Sequence, residues 1–184
     1  MEHYFPYQNE FKERRHNKYA IIIYLPPALD NIIAPLRQQF DPVYNLIASH
    51  ITLVFPFETI RPLEELTKLV KTETEQQKSF LVDLEEIGDF YPQSPVIYWD
   101  VQKNDKLYEL YYRLYSRLDL PIPFKLYHPH VTVAREISNY RVIIVKEKIV
   151  SYLSHEKFYV RSIDLVTSLS DERWVSVRTF PLNG

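Results

Sequence analysis

The chain contains no cysteine. That excludes disulfides, a thiol nucleophile and thiolate-held zinc or iron–sulfur centres, and it suits a reducing compartment. Glycine is almost as scarce, with two residues in 184. P-loops and dinucleotide fingerprints set several glycines at short fixed offsets to cradle phosphate, so neither can be present. No apolar run approaches the roughly 18 residues that read as a membrane span. The first stretch, MEHYFPYQNEFKERRHNKY, is too polar for a secretory signal. The expectation is a soluble, cytoplasmic protein without a membrane partner.

An excess of one charge is also missing: 22 Lys and Arg stand against 24 Asp and Glu, a formal charge of −2. Nonspecific affinity for a duplex comes from many phosphate-neutralising cations, so a long nucleic-acid duplex is not an expected partner. A small anionic substrate or the end of an RNA needs only one local cation cluster.

What the chain does have is apolar and aromatic material, 46% hydrophobic residues with 15 Tyr and 10 Phe. That suits one compact unit or two small packed lobes. Residues 1–18 read as a polar lead-in, and a single domain is expected over 19–184. YAIIIYL (19–25) is a β-branched strand stopped by Pro26 and Pro27. ALDNIIAPLRQQF (28–40) has helical spacing, with Pro35 predicted to kink or break it. A strand over 50–57, an amphipathic helix over 62–78 and a strand over 79–91 complete the first half. The second half reads as a strand over 96–101, a helix with a Leu/Tyr stripe over 105–120 and a strand over 128–135. A helix from Ser138 follows, then two long strands, KFYVRSIDLVTSL and RWVSVRTFPL, around SDE.

Each half therefore runs strand, helix, histidine-bearing strand, helix, strand. Ile23 to His50 is 27 residues and Trp99 to His130 is 31, so pseudo-repeats of about 19–90 and 95–168 share nearly one pitch, with a C-terminal strand over 173–182. The expected fold class is α+β: a bilobal, duplicated arrangement of two mostly antiparallel sheets, with helices on the outer faces and a central cleft between.

The two histidine-bearing strands, HITLVFPF (50–57) and HPHVTVAR (128–135), carry the chemistry. Alternation sends His50 and Thr52 to one face of the first and His130 and Thr132 to one face of the second, with Ile51, Leu53, Val131 and Val133 opposite. Polar faces meeting across a cleft bring together two imidazoles and two hydroxyls. An imidazole titrates near pH 6.5, so one can accept a proton while the other donates one. Hydrolysis of a cyclic phosphate needs both acts, on opposite sides of phosphorus. The hydroxyls can hold the non-bridging oxygens. A single H-x-T carries little information: with six histidines, roughly half a match arises by chance. Taken alone, each His also reads as a hydrogen-bonded core residue and each Thr as a β-former. Two matches in register within a repeated pattern are far more specific.

A metal reading has His128 and His130 at i, i+2 with His50 as a third ligand. Against it stand the absence of Cys and of H-E-x-x-H, and the lack of a carboxylate beside either motif on its polar face. No metal and no cofactor are expected.

On HITLVFPF, HPHVTVAR and the order of elements between them, the chain resembles the two-histidine (2H) phosphoesterases, which include 2'-5' RNA ligase-like proteins and RNA cyclic phosphodiesterases. The likeness covers about residues 19–182, and RWVSVRTFPL looks like the family's terminal strand. The resemblance implies metal-free hydrolysis of 2',3'-cyclic phosphates or related cyclic or 2'-5' phosphodiesters, in a small cyclic nucleotide or at an RNA end. It makes His50 and His130 the acid–base pair and Thr52 and Thr132 the phosphate holders, without saying which histidine is the acid. The alternative is a nucleotide- or RNA-end-binding module without turnover.

Further substrate-binding candidates are Arg135, Ser168, Trp174, Tyr24, Tyr98 and His128. Arg135 has the reach for a phosphate, but parity sets it on the face opposite His130 unless the strand bulges; otherwise it is a surface ion pair. Trp174 offers a stacking face for a base, though an edge or core Trp is commoner. Tyr24 and Tyr98 are read as matching positions lining the cleft. His128 is expected beside Pro129 or hydrogen-bonded at the strand entrance.

Overall fold

The computed structural model describes residues 17–184. Residues 1–16, most of the expected lead-in, lie outside the described residues, and Asn17 and Lys18 already belong to the first strand. The elements in order are β1 (Asn17–Tyr24), α1 (Pro27–Phe40), β2 (His50–Thr59), α2 (Leu63–Glu75), β3 (Phe80–Asp89) and β4 (Ile97–Val101). There follow α3 (Asp105–Leu118), β5 (His130–Ala134), α4 (Val142–Val150), β6 (Glu156–Val160), β7 (Ser162–Ser168) and β8 (Trp174–Pro181). Pro27 occupies the start of α1, where its missing N–H is no loss, and the helix continues through Pro35 rather than breaking there.

All eight strands form one antiparallel sheet in the order β6-β3-β4-β5-β2-β1-β7-β8. The two sheets expected from the repeat are therefore one. The correction has a plain cause: β2 and β5 would each be the unpaired edge of a half-sheet, and they pair with each other at Ile51 and Val131. The halves also exchange strands, since β3 lies between β4 and β6, while β7 and β8 return to β1. KFYVRSIDLVTSL is accordingly two strands, separated by Arg161 alone. One residue spans at most about 3.6 Å, so β6 and β7, six places apart in the sheet, are joined only because the sheet curls. The Leu182 N–H donates to the Arg161 carbonyl at 2.8 Å where the ends approach.

One face of the sheet carries the core. Ile21, Ile23, Ile51, Leu53, Trp99, Val131 and Val133 form a continuous buried cluster with apolar residues of all four helices, among them Ile33, Leu66, Leu110 and Val145. The Leu/Tyr stripe of α3 is part of that core. On the opposite face Ala20, Ile22 and Val166 make a small second cluster. No helix among the described residues is long and apolar enough to cross a membrane.

Gly88 of β3 pairs with Tyr98 of β4 next to a register shift. The Tyr98 ring lies over it, filling the space a Cβ would need. Gly88→Ala is expected to cost about 1–3 kcal/mol through overpacking, read as a lower urea midpoint at unchanged m. In a Tyr98→Ala background the same change should cost little; an undiminished loss there would contradict the contact.

Candidate active site

The motif strands share a burial pattern from their first residue: half-buried His, buried apolar, half-buried Thr, then two buried residues in succession. The doubled burial breaks alternation, and the register shows why. Ile22 faces Thr52 and Ile21 faces Val54, so Leu53 is an extra residue on β2. Tyr98 faces Thr132 and Ile97 faces Ala134, so Val133 is an extra residue on β5. Each strand thus bulges just after its H-x-T, turning both Leu53 and Val54, or both Val133 and Ala134, into the core. Parity is reversed beyond the bulge, and Phe55 and Arg135 both line the cleft.

A crossed pair of helix contacts fixes these positions. The Arg135 N–H donates to the Phe40 carbonyl at the end of α1, 3.0 Å away. The Phe55 N–H donates to the Tyr115 hydroxyl of α3 at 3.2 Å. Backbone groups freed by the bulges are therefore satisfied by the helix of the other half. The Tyr127 hydroxyl adds a bond to the Thr52 carbonyl at 2.9 Å.

His50 and His130 are held alike. Nδ1 of His50 donates to the Ala48 carbonyl at 2.8 Å, and Nδ1 of His130 to the His128 carbonyl at 2.7 Å. Each Nε2 is left unprotonated in the neutral ring and free for chemistry. Ile51 pairs with Val131; one residue further either way, the antiparallel register sets His50 opposite Thr132 and Thr52 opposite His130. Diagonal positions of such a ladder stand about 7–8 Å apart, a span that one phosphate bridges through hydrogen bonds. All four side chains line one cleft of about 510 Å³.

The two histidines differ in charge surroundings. Burial pushes the His50 pKa down to about 4, against the Ala48 carbonyl, which favours the cation; Arg37, Arg135 and His130 push it further down. Burial also lowers His130, against the His128 carbonyl; the His128 ring and Arg135 push it down too, but here the Asp100 carboxylate works in favour of the imidazolium. Asp100 faces His130 across the ladder, whereas Tyr24 faces His50.

Ser168 and Trp174 line the cleft with the motif residues. Lys18, Phe55 and Glu172 line it as well and were not singled out in the sequence. Lys18 lay in the presumed lead-in; its ammonium sits 5.9 Å from the centre of the Trp174 ring. Tyr24, Tyr98 and His128 do not line the cleft. Nor are the two tyrosines equivalent: Ile23 and Trp99 match in register, so Tyr24 corresponds to Asp100 and Tyr98 to Ile22. Tyr98 instead packs against His130, ring centres 5.2 Å apart. His128 binds Asp100 Oδ1 through Nε2 at 2.9 Å. Arg173 pairs with Asp171. Among the described residues the group dense enough for a cation is Asp83, Glu85 and His155, outside the cleft, where Lys157 already pairs with Asp83 at 2.6 Å.

A family model of the 2'-5' RNA ligase superfamily matches residues 25–172. Two curated relatives carry the name "putative phosphoesterase". The one from Geobacillus kaustophilus is 27% identical over 168 residues, covering 91% of this chain and 97% of the relative. The one from Shouchella clausii is 30% identical over 175 residues, covering 90% and 98%. Among solved structures, E. coli LigT complexed with 3'-AMP superposes with a TM-score of 0.68 at 20% identity, covering 92% of this chain and 99% of LigT. At that identity the likeness is one of fold.

The His50 ring is expected to titrate by NMR with a midpoint of about 4, against roughly 6.5 for a free imidazole. The unfolded chain protonates first as pH falls. The stability carried by the neutral ring is therefore complete above about 6.5 and is lost as pH drops toward 4. A midpoint at or above 6.5 would contradict the burial argument.

Proposed function

The chain belongs to the 2'-5' RNA ligase superfamily, the two-histidine phosphoesterases, and on that premise we propose that it hydrolyses a 2',3'-cyclic phosphate or a related 2'-5' phosphodiester, at an RNA end or in a small nucleotide, without a metal. The observation that carries this reading is the duplicate tethering of His50 and His130, each with Nδ1 committed to a backbone carbonyl and each side chain lining the same cleft. A binding module has no need of two such proton carriers.

In this mechanism water attacks phosphorus and gives its proton to one Nε2 while the bond from phosphorus to the ribose oxygen breaks and that oxygen takes a proton from the other. The surroundings favour His50 as the base, since only cations and a second imidazole act on it besides burial and its carbonyl partner. His130 is then the acid: Asp100 favours its cation, working against burial, the His128 ring and Arg135, whereas no carboxylate acts on His50. Thr52 and Thr132 donate to the non-bridging oxygens, and Arg135 offers charge to the developing anion. Trp174 provides a stacking face for a base beside Lys18. E. coli LigT has been solved with 3'-AMP, with phosphate and with ATP, which agrees with a nucleotide-sized ligand.

Nucleoside 2',3'-cyclic monophosphates should be turned over in excess chelator. His50→Ala and His130→Ala should each lose about 10²–10⁴-fold, and Thr52→Val or Thr132→Val about 10²–10³-fold in kcat. An aryl phosphodiester, whose phenolate leaves without a proton, should rescue His130→Ala more than His50→Ala. Activity that disappears with chelator, or survives in both histidine variants, contradicts the mechanism; nucleotide binding without any turnover points to the binding module.

The free-enzyme pH profile follows from the same assignment. Below about 4 the base His50 is protonated, and above the His130 pKa, itself lowered from 6.5, the acid is lost. The profile of kcat/KM should therefore be a bell with its optimum between about 4 and 6.5. An optimum above pH 8 would exclude these two groups as the acid and base.

A further inference from the structure

Asp41 follows α1, and its N–H closes that helix onto the Arg37 carbonyl at 2.7 Å. Its carboxylate is wholly buried, which is tolerated only with charge and hydrogen-bond compensation. Both oxygens have it. Oδ2 accepts from Arg37 Nε at 3.1 Å and Nη2 at 2.9 Å. Oδ1 accepts from the Val43 N–H at 3.2 Å and lies 2.9 Å from Arg135 Nε. The buried Arg37 guanidinium continues to Ser49 Oγ at 3.1 Å and the Ile47 carbonyl at 2.9 Å. One carboxylate thus ties together the end of α1, the segment leading into the first motif, and the residue that follows the second.

Two details go beyond packing. Arg135 is not fork-bonded to Asp41: its inner nitrogen lies beside the carboxylate but off the line of a hydrogen bond. No described residue accepts from its terminal nitrogens, on a side chain that lines the cleft and is 31% exposed. The Arg37 branch ends on Ile47 and Ser49, which bracket Ala48, whose carbonyl fixes the His50 ring.

We propose that Asp41 is the positioning residue of the phosphate site: its carboxylate aims the terminal nitrogens of Arg135 at the anion held between the two motifs, and through Arg37 it fixes the turn that orients His50. The assignment rests on the cleft being a phosphate site, as argued above. It also makes an unusual prediction. Removing a negative charge beside an anion site should by Coulomb's law tighten anion binding; loss of positioning should weaken it.

Inorganic phosphate titrated calorimetrically into the full chain separates the two. Asp41→Asn is expected to weaken phosphate binding about tenfold, the scale of a lost hydrogen bond to a charged group, and most of that loss should vanish in an Arg135→Ala background. Unchanged or tighter binding by Asp41→Asn, or an equal loss with Arg135 already removed, overturns the proposal. Should Asp41→Asn fail to fold because Arg37 is left buried without a counter-charge, the charge-neutral double change Asp41→Asn with Arg37→Gln is compared with and without Arg135→Ala: weaker phosphate binding that depends on Arg135 is expected, and a loss independent of Arg135 overturns the proposal. A wild-type chain that does not bind phosphate overturns both this assignment and the functional reading; a wild type that binds while Asp41→Asn is indifferent overturns the positioning role alone.

Discussion

The pairing of β2 with β5 at Ile51 and Val131 is the constraint on which the rest of the molecule depends. Both side chains are fully buried, so the register across the seam is fixed by the core: a slip of one residue would turn His and Thr inward and Ile and Val outward. The same pair merges two half-sheets into one, and it sets each histidine opposite the other motif's threonine. Helices α1 and α3 reinforce the seam crosswise, the first bonding Arg135 of the second motif and the second bonding Phe55 of the first.

A scaffold of this kind makes two nearly identical proton carriers, and catalysis of the proposed type needs them to differ. The difference enters at positions that correspond in register but not in residue type. Tyr24 faces His50 where Asp100 faces His130, and Phe55 follows the first bulge where Arg135 follows the second. Symmetry of backbone supplies the geometry, and asymmetry of side chain separates the affinities of the two rings for a proton. The Arg37–Asp41–Arg135 array, buried at Arg37 and Asp41, touches both motifs, joining the turn before His50 to the residue after the second bulge.

Much of this was legible in the chain itself, because alternation in HITL and HVTV marks which residues share a face without any tertiary knowledge. The strands and helices were mostly readable for the same reason. What alternation cannot show is where it stops: LV at 53–54 and VA at 133–134 look like ordinary strand residues, and only the partner strands reveal that one residue in each is extra. Hence parity alone sets Arg135 opposite His130, and only the bulge, which the sequence leaves open, brings it to the cleft. Long-range pairing was equally hidden. KFYVRSIDLVTSL has unbroken strand character, and nothing local in Arg161 says that the chain passes there from one end of a sheet to the other. Lys18 was missed because a lysine next to KERRH reads as part of a solvated run.

The account stands or falls on one phosphorus atom lying between the two motifs. A crystal structure of the chain soaked with orthovanadate, which adopts the five-coordinate geometry of the reacting phosphate, tests that directly. The account predicts vanadium in the cleft with Nε2 of His50 and of His130 in hydrogen-bond contact with oxygens on opposite sides, and with the Thr52 and Thr132 hydroxyls on the oxygens between. Vanadate bound elsewhere, or touching the histidine of one motif only, would contradict it.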